Sequence, residues 1–109
     1  MVTCKLWRWL PGRGGRGYQK LCLWSFWRID AYLLRFPKSS MLAWHTDEVP
    51  GRKHWRLNIT IRRADVGGDV YVEERVQWRV SLFRPDAQLH RVGWVDAGEL
   101  WLLSFGVAL

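Results

Sequence analysis

Residues 55–62, Trp-Arg-Leu-Asn-Ile-Thr-Ile-Arg, alternate apolar and polar side chains without a break. Successive side chains of extended backbone point to opposite sides, so a period of two marks a strand with two unlike faces. Trp55, Leu57, Ile59 and Ile61 share one face, and Arg56, Asn58, Thr60 and Arg62 share the other. The same reading extends along the chain. Strands are expected over 21–26, 29–36, 41–45, 69–72, 76–83, 89–95 and 100–107. Between them stand turn formers such as Pro37-Lys38-Ser39-Ser40, Pro50-Gly51, Gly67-Gly68, Arg84-Pro85-Asp86 and Asp96-Ala97-Gly98. No long stretch of helical period follows residue 30, so a parallel sheet with crossover helices is excluded. Short strands at roughly 8–12-residue spacing predict an all-β sandwich, jelly roll or barrel.

The 109 residues hold one domain. That length excludes a two-domain nucleotide enzyme and a full barrel of alternating strands and helices. With 49% hydrophobic and 25% charged residues, the composition is that of a folded domain. No apolar run approaches the roughly 18 residues of a membrane span. The opening segment is broken by Lys5 and Arg8 and lacks a small-residue cleavage site. A cytoplasmic location is therefore expected, with Cys4 and Cys22 as reduced thiols. The stretch Pro11-Gly12-Arg13-Gly14-Gly15-Arg16-Gly17 is expected to be a flexible loop. It makes a poor phosphate cradle, because no Lys-Ser or Lys-Thr follows it. The net charge of +7 permits contact with nucleic acid or another polyanion. The basic residues are scattered rather than blocked, so charge alone assigns no partner.

His45 and Asp47 stand two residues apart at the end of an expected strand, so both side chains fall on one face. His90 opens a later strand. Two imidazoles and one carboxylate form the ligand set of the facial triad, which leaves positions open on a non-haem Fe(II) for further ligands. His54 lies in a basic stretch after this motif and is expected to be solvated. The serines lack the partners for a catalytic triad, and no pair of carboxylates suggests glycosidase chemistry.

The order of these pieces is W-H45-T-D47, then W-R56-L-N58-I-T-I, then G67-G68-D-V-Y-V, then F83-R-P-D-A-Q-L-H90-R-V, then G98-E-L-W-L-L-S-F. In that order the sequence resembles the Fe(II)/2-oxoglutarate-dependent dioxygenases, most of all their prolyl hydroxylase and aspartyl/asparaginyl β-hydroxylase branches. The likeness spans roughly residues 29–107. It implies a double-stranded β-helix, that is, a cupin-like jelly roll built as a minimal single domain. It also implies Fe(II) held by His45, Asp47 and His90, with 2-oxoglutarate as co-substrate and a small molecule or peptide side chain as substrate.

One departure bears on the co-substrate. The family's usual carboxylate anchor is an Arg or Lys about ten positions after the second His, where this chain has Leu100. Leu cannot pair a buried carboxylate. Arg56, with Asn58 on the same face, is the candidate for that contact. Arg62 shares the face but lies about 20 Å further along the strand, too far to grip the same small molecule. Two other outcomes stay open: a different co-substrate, or a jelly-roll binding module without oxygenase activity whose basic surface meets nucleic acid or another polyanion.

The organisation expected is a Trp-rich amino-terminal segment, 1–28, packed on a β-helix core, 29–109. If Arg56, Asn58 and Thr60 point into the barrel, Leu57, Ile59 and Ile61 point out and need cover. Trp7, Trp9, Trp24 and Trp27 are expected to supply it, and a dimer would serve the same end.

Overall fold

Apolar, β-branched and aromatic residues between turn formers fold here almost wholly as strands. The structure is a computed structural model that describes residues 8–12, 15–47 and 51–109, and it has no helix among them. In chain order the strands are β1 (Trp9–Pro11), β2 (Gly15–Arg16), β3 (Gln19–Phe26), β4 (Ile29–Phe36), β5 (Met41–His45), β6 (His54–Arg62) and β7 (Val66–Gly67). They continue with β8 (Val70–Val72), β9 (Arg75–Gln77), β10 (Val80–Phe83), β11 (His90–Val92), β12 (Val95–Ala97) and β13 (Leu100–Ala108).

A six-stranded sheet has the order β1-β3-β4-β13-β6-β10, and a five-stranded sheet the order β2-β5-β11-β8-β9. β12 and β7 form a small two-stranded sheet. Neighbouring strands run antiparallel throughout. The chain is thus all-β, as the alternating pattern predicts, and a double-stranded β-helix, as the family resemblance implies.

Register decides what each face of the large sheet carries. One row across the strands reads Cys22–Tyr32–Ser104–Asn58–Ser81. The next reads Ser25–Asp30–Gly106–Arg56–Phe83. Tyr32, Asp30, Ser104, Ser81 and Phe83 are buried, so this is the barrel's inner face. Further along the same strands the inward positions turn apolar. Phe36, Leu100 and Leu102 join Tyr18, Leu42, Val70, Val92 and Val95 in the core. The barrel is therefore packed with hydrocarbon at one end and lined by polar groups at the other. Burial of the apolar end stabilises the fold by about 25 cal/mol per Å² removed from water.

Several expectations are corrected. The stretch 76–83 is two strands, not one: β9 and β10 lie in different sheets, and the chain crosses between them at Trp78 and Arg79. The stretch 89–95 likewise divides into β11 and the start of β12. Cys22 is disulfide-bonded rather than a reduced thiol, while Cys4 lies outside the described residues. Part of the glycine stretch is ordered as β2, and a Cβ on Gly12 would collide with the Tyr18 ring. Arg13 and Gly14 lie outside the described residues.

Among the described residues, Trp9, Trp24 and Trp27 do not blanket the outer face either. β1 and β3 extend the large sheet sideways. Trp9 meets Trp101 edge-on at 5.7 Å. Trp24 and Trp27 stay 55% and 70% exposed, and Trp7 lies outside the described residues. No helix among the described residues is long and apolar enough to cross a membrane.

Candidate metal centre

The two histidines of the sequence motif are brought together by strand pairing. His45 ends β5, His90 begins β11, and they are direct cross-strand partners with ring centroids 4.0 Å apart. Just past β5 the backbone N–H of Asp47 donates to the Pro85 carbonyl at 2.6 Å, which ties the residue to the turn that precedes β11. Its Oδ2 lies 3.6 Å from His45 Nε2 and 3.4 Å from His90 Nε2. One ligand atom from each of the three residues lies within 4.8 Å of the others. The structure thus assembles all three predicted ligands into one cluster.

The other ring nitrogens are oriented by backbone. His45 Nδ1 lies 2.7 Å from the Ala43 carbonyl, and His90 Nδ1 lies 3.0 Å from the Gln88 carbonyl. A carbonyl only accepts, so each Nδ1 carries a proton; each Nε2 faces Asp47, donating to it when the ring is charged and keeping a lone pair free for a metal when the ring is neutral. This is the arrangement that fixes a metal-binding imidazole. Two nitrogens and one carboxylate oxygen suit a divalent transition metal and leave coordination positions free. The residues present therefore fit the group that the sequence motif implies. Phe83, its ring centroid 5.0 Å from that of His90, walls one side. The Asp47 side chain is 52% exposed, so the cluster opens to solvent on the other.

The charges hold one another. Burial pulls the Asp47 pKa up, but hydrogen bonds from His45 and His90 outweigh it and leave the carboxyl well below its usual range. Burial likewise pulls His45 down, while the bonds to Asp47 and the Ala43 carbonyl carry its pKa above the ordinary value.

Arg56 and Asn58 face the barrel interior, as their parity predicts, but Arg56 is already engaged. Its Nη1 donates to Ser104 Oγ at 2.7 Å and its Nη2 to Asp30 Oδ1 at 2.7 Å. Nη2 also lies 3.3 Å from His54 Nε2. A guanidinium only donates, so His54 Nε2 is the acceptor and the proton of this imidazole sits on Nδ1. The Tyr32 ring lies 5.6 Å from the guanidinium carbon.

Gly106 makes the pairing sterically feasible. It stands on β13 between Asp30 of β4 and Arg56 of β6. A Cβ there would collide with Arg56 Nη2 and lie 2.8 Å from Asp30 Oδ1. The chain leaves out a side chain where the ion pair crosses.

Near this pair, His54 Nδ1, Asn58 Oδ1 and Ser81 Oγ are buried without hydrogen-bond partners. Leu100, at the usual anchor position of the resembled family, is 3% exposed in the apolar core. Arg62 is exposed beside Trp101. His54, expected in solvent, is instead buried. Parity held the signal: His54 lies two residues before Arg56, so it shares the inward face once the alternating strand is extended by one residue.

No protein-family model matches this chain, and no curated protein sequence does. Solved structures do match in fold. A cupin-2 domain protein from Rhodospirillum rubrum is similar at a TM-score of 0.65 and 12% identity, over 86% of this chain and 62% of that one. KdgF from Halomonas sp. is similar at a TM-score of 0.65 and 14% identity, over 96% of this chain and 94% of that one. A predicted oxalate decarboxylase from Thermotoga maritima is similar at a TM-score of 0.65 and 15% identity, over 89% and 86% of the two chains. Identity this low speaks to fold alone. With the strand order and the His-Asp-His cluster, these likenesses lead to one conclusion: the chain has the cupin jelly-roll fold, with a group at the barrel mouth that could hold a metal ion.

Proposed function

We propose that the chain is a mononuclear metal-dependent oxygenase of the Fe(II)/2-oxoglutarate kind, acting on a small molecule or a peptide side chain. The observation that carries this reading is the convergence of His45 Nε2, His90 Nε2 and one Asp47 oxygen, with both Nδ1 atoms fixed on backbone carbonyls. When bound there, Fe(II) would supply the redox chemistry that couples O2 to the decarboxylation of a 2-oxo acid. The chain's own groups hold and orient. His45 and His90 would donate nitrogen, and Asp47 would contribute a negative charge that offsets part of the metal's. Phe83 packs beside His90 and limits water on that side.

Arg56 is the group that would receive the far carboxylate of 2-oxoglutarate, with Asn58 beside it. Asp30 competes with such an anion for the same Nη2, so the co-substrate would be held less tightly than by an unpaired arginine. The exposed side of Asp47 is where a substrate would enter.

The test is an anaerobic titration of the protein with Fe(II) and then 2-oxoglutarate. A metal-to-ligand charge-transfer band should appear on addition of the 2-oxo acid, and succinate should form once air is admitted. Fe(II) binding without a band for 2-oxoglutarate, but with one for a 2-oxo monocarboxylate, would move the reading to another co-substrate. Fe(II) binding that survives His45→Ala unchanged would end it.

A further inference from the structure

The hairpin between β3 and β4 turns on Trp27 and Arg28, with Phe26 and Ile29 as its closing pair. Two-residue hairpin loops ordinarily use glycine, asparagine or aspartate, because the turn needs a positive φ. Here Trp27 takes that position, with a φ of 57°. A bulky side chain is rare in that region of backbone space. The indole is not packed into the fold in return, since Trp27 is 70% exposed. Strained backbone of this kind recurs where a side chain serves function rather than the fold.

The tip does not consist of one ring alone. A register shift between Cys22 and Trp24 sets Trp24 and Phe26 on the outer side of β3, and both are exposed, with ring centroids 6.2 Å apart. Pairing brings further apolar side chains to the same end of the sheet. Ile29 pairs with Val107, and Val107 with Trp55. Leu109 follows, its backbone bonded in both directions to Lys53. Ile29, Trp55 and Leu109 are exposed as well. Basic side chains stand among them. The Arg28 guanidinium carbon lies 4.8 Å from the Trp27 ring centroid, and Arg52 and Lys53 are exposed just before β6. The described carboxylates placed here are already engaged: Asp30 with Arg56, Asp86 with Arg84, and Asp47 in the metal cluster.

We infer that this end of the six-stranded sheet docks on a membrane surface that carries anionic lipid, with the tip of the β3–β4 hairpin inserted among the headgroups. Tryptophan suits that depth, because its ring is apolar and its N–H finds a polar partner at the interface. Phe26, Ile29 and Leu109 gain from contact with the acyl boundary below. The two aliphatic side chains offer no stacking surface to a nucleic-acid base, which favours lipid over a single strand. Arg28, Arg52 and Lys53 supply positive charge beside the aromatic tip, and each basic residue near an anionic leaflet adds to the attraction. The metal cluster lies at this end of the barrel too. Phe83, which walls it, is the cross-strand partner of Arg56, the residue after Trp55 on β6.

The test is flotation of the whole chain with vesicles of phosphatidylcholine, alone or with phosphatidylserine as about a third of the lipid. The wild type should bind the anionic vesicles about tenfold or more tightly than the neutral ones, and the difference should shrink as salt is added. Trp27→Asn should weaken binding to the anionic vesicles about tenfold. Asparagine tolerates a positive φ, so the melting temperature of this variant should equal or exceed that of the wild type. A packing role for Trp27 would lower it instead. Trp78→Asn is the control. It removes an exposed tryptophan that also carries a stacked arginine, Arg63, but stands beside Thr60 toward the opposite end of β6. It should float as the wild type does. Should Trp27→Asn lose its strand signal, Phe26→Thr at the closing pair is read by the same criteria. A wild type that does not float with the anionic vesicles overturns the inference, including one that instead binds oligothymidylate or pairs with a second copy. So does equal binding to the neutral vesicles, or an equal loss in Trp27→Asn and Trp78→Asn.

Discussion

The guanidinium of Arg56 and the carboxylate of Asp30 meet at 2.7 Å although their strands, β6 and β4, are not neighbours. β13 runs between them, and the two side chains meet over Gly106. This buried pair, not a free arginine, is what lies inside the polar end of the barrel.

Gly106→Ala tests that crossing. The added methyl would occupy space now held by Arg56 Nη2, so either the ion pair shifts or β13 does. A loss of about 2 kcal/mol is expected, typical of overpacking a filled interior. Chemical denaturation measures it. Gly12→Ala, beside the Tyr18 ring, is the comparison for a close contact away from the pair.

Asp30→Asn tests the competition at Arg56. The amide keeps a hydrogen-bond acceptor but removes the charge, so Arg56 is left free to attract an incoming carboxylate. The variant should lose about 2 kcal/mol of stability through the weakened buried pair. It should also bind 2-oxoglutarate about tenfold more tightly, which corresponds to about 1.4 kcal/mol. Calorimetric titration of the metal-loaded protein reads the second effect. An unchanged affinity would remove Arg56 from the co-substrate site.

The pH dependence of stability should carry a mark of His54. Burial, and then the adjacent Arg56 charge, hold its pKa below the ordinary 6.5, against weaker pulls from Asp30 and the Asp47 backbone. As pH falls below about 6.5, the unfolded chain takes up a proton at His54 that the folded chain resists. The contribution of neutral His54 is thus complete above that value and is lost as pH falls through the lowered folded value. His45, whose pKa is raised, shifts the balance in the opposite sense, so the comparison must be between proteins that share it. The melting temperature of wild type should drop more than that of His54→Asn between about pH 7.5 and about pH 5.5.

Arg91 points away from the metal cluster, as parity with His90 predicts. Its guanidinium carbon lies 5.2 Å from the Trp44 ring centroid and 4.4 Å from that of Tyr71. Arg28 over Trp27, Arg63 over Trp78 and Arg84 over Trp55 repeat the arrangement. Much of the positive charge is thus spread over single guanidiniums stacked on aromatic rings. Arg91→Ala should cost about 1 kcal/mol in stability through lost stacking and packing. Metal affinity should stay unchanged, as measured by the same titration used for the ligand variants.

Local pattern made much of this legible. Strict alternation over 55–62 puts Arg56 and Asn58 on one common face, and the spacing of His45 and Asp47 puts both of these on one face. The partner of Arg56 was not legible, because Asp30 comes near only through β13, whose pairing no local pattern encodes. Nor was the crossing at Trp78 and Arg79: Val76 to Phe83 alternates well enough to read as one strand, and only tertiary structure divides it between two sheets. The burial of His54 is hidden for a third reason. Its basic neighbours Arg52 and Lys53 suggest solvent, yet β6 begins one residue earlier than its apolar pattern does. The tryptophan excess suggests cover for the outer face, whereas β1 and β3 add to that face.

The central claim is that His45, Asp47 and His90 form one metal site. Anaerobic calorimetric titration of Fe(II) into wild type and Asp47→Ala tests it most directly. One Fe(II) per chain should bind to wild type, and Asp47→Ala should lose about a hundredfold in affinity while keeping the wild-type strand signal. Equal affinity in the two proteins, or no Fe(II) binding by wild type, would contradict the account.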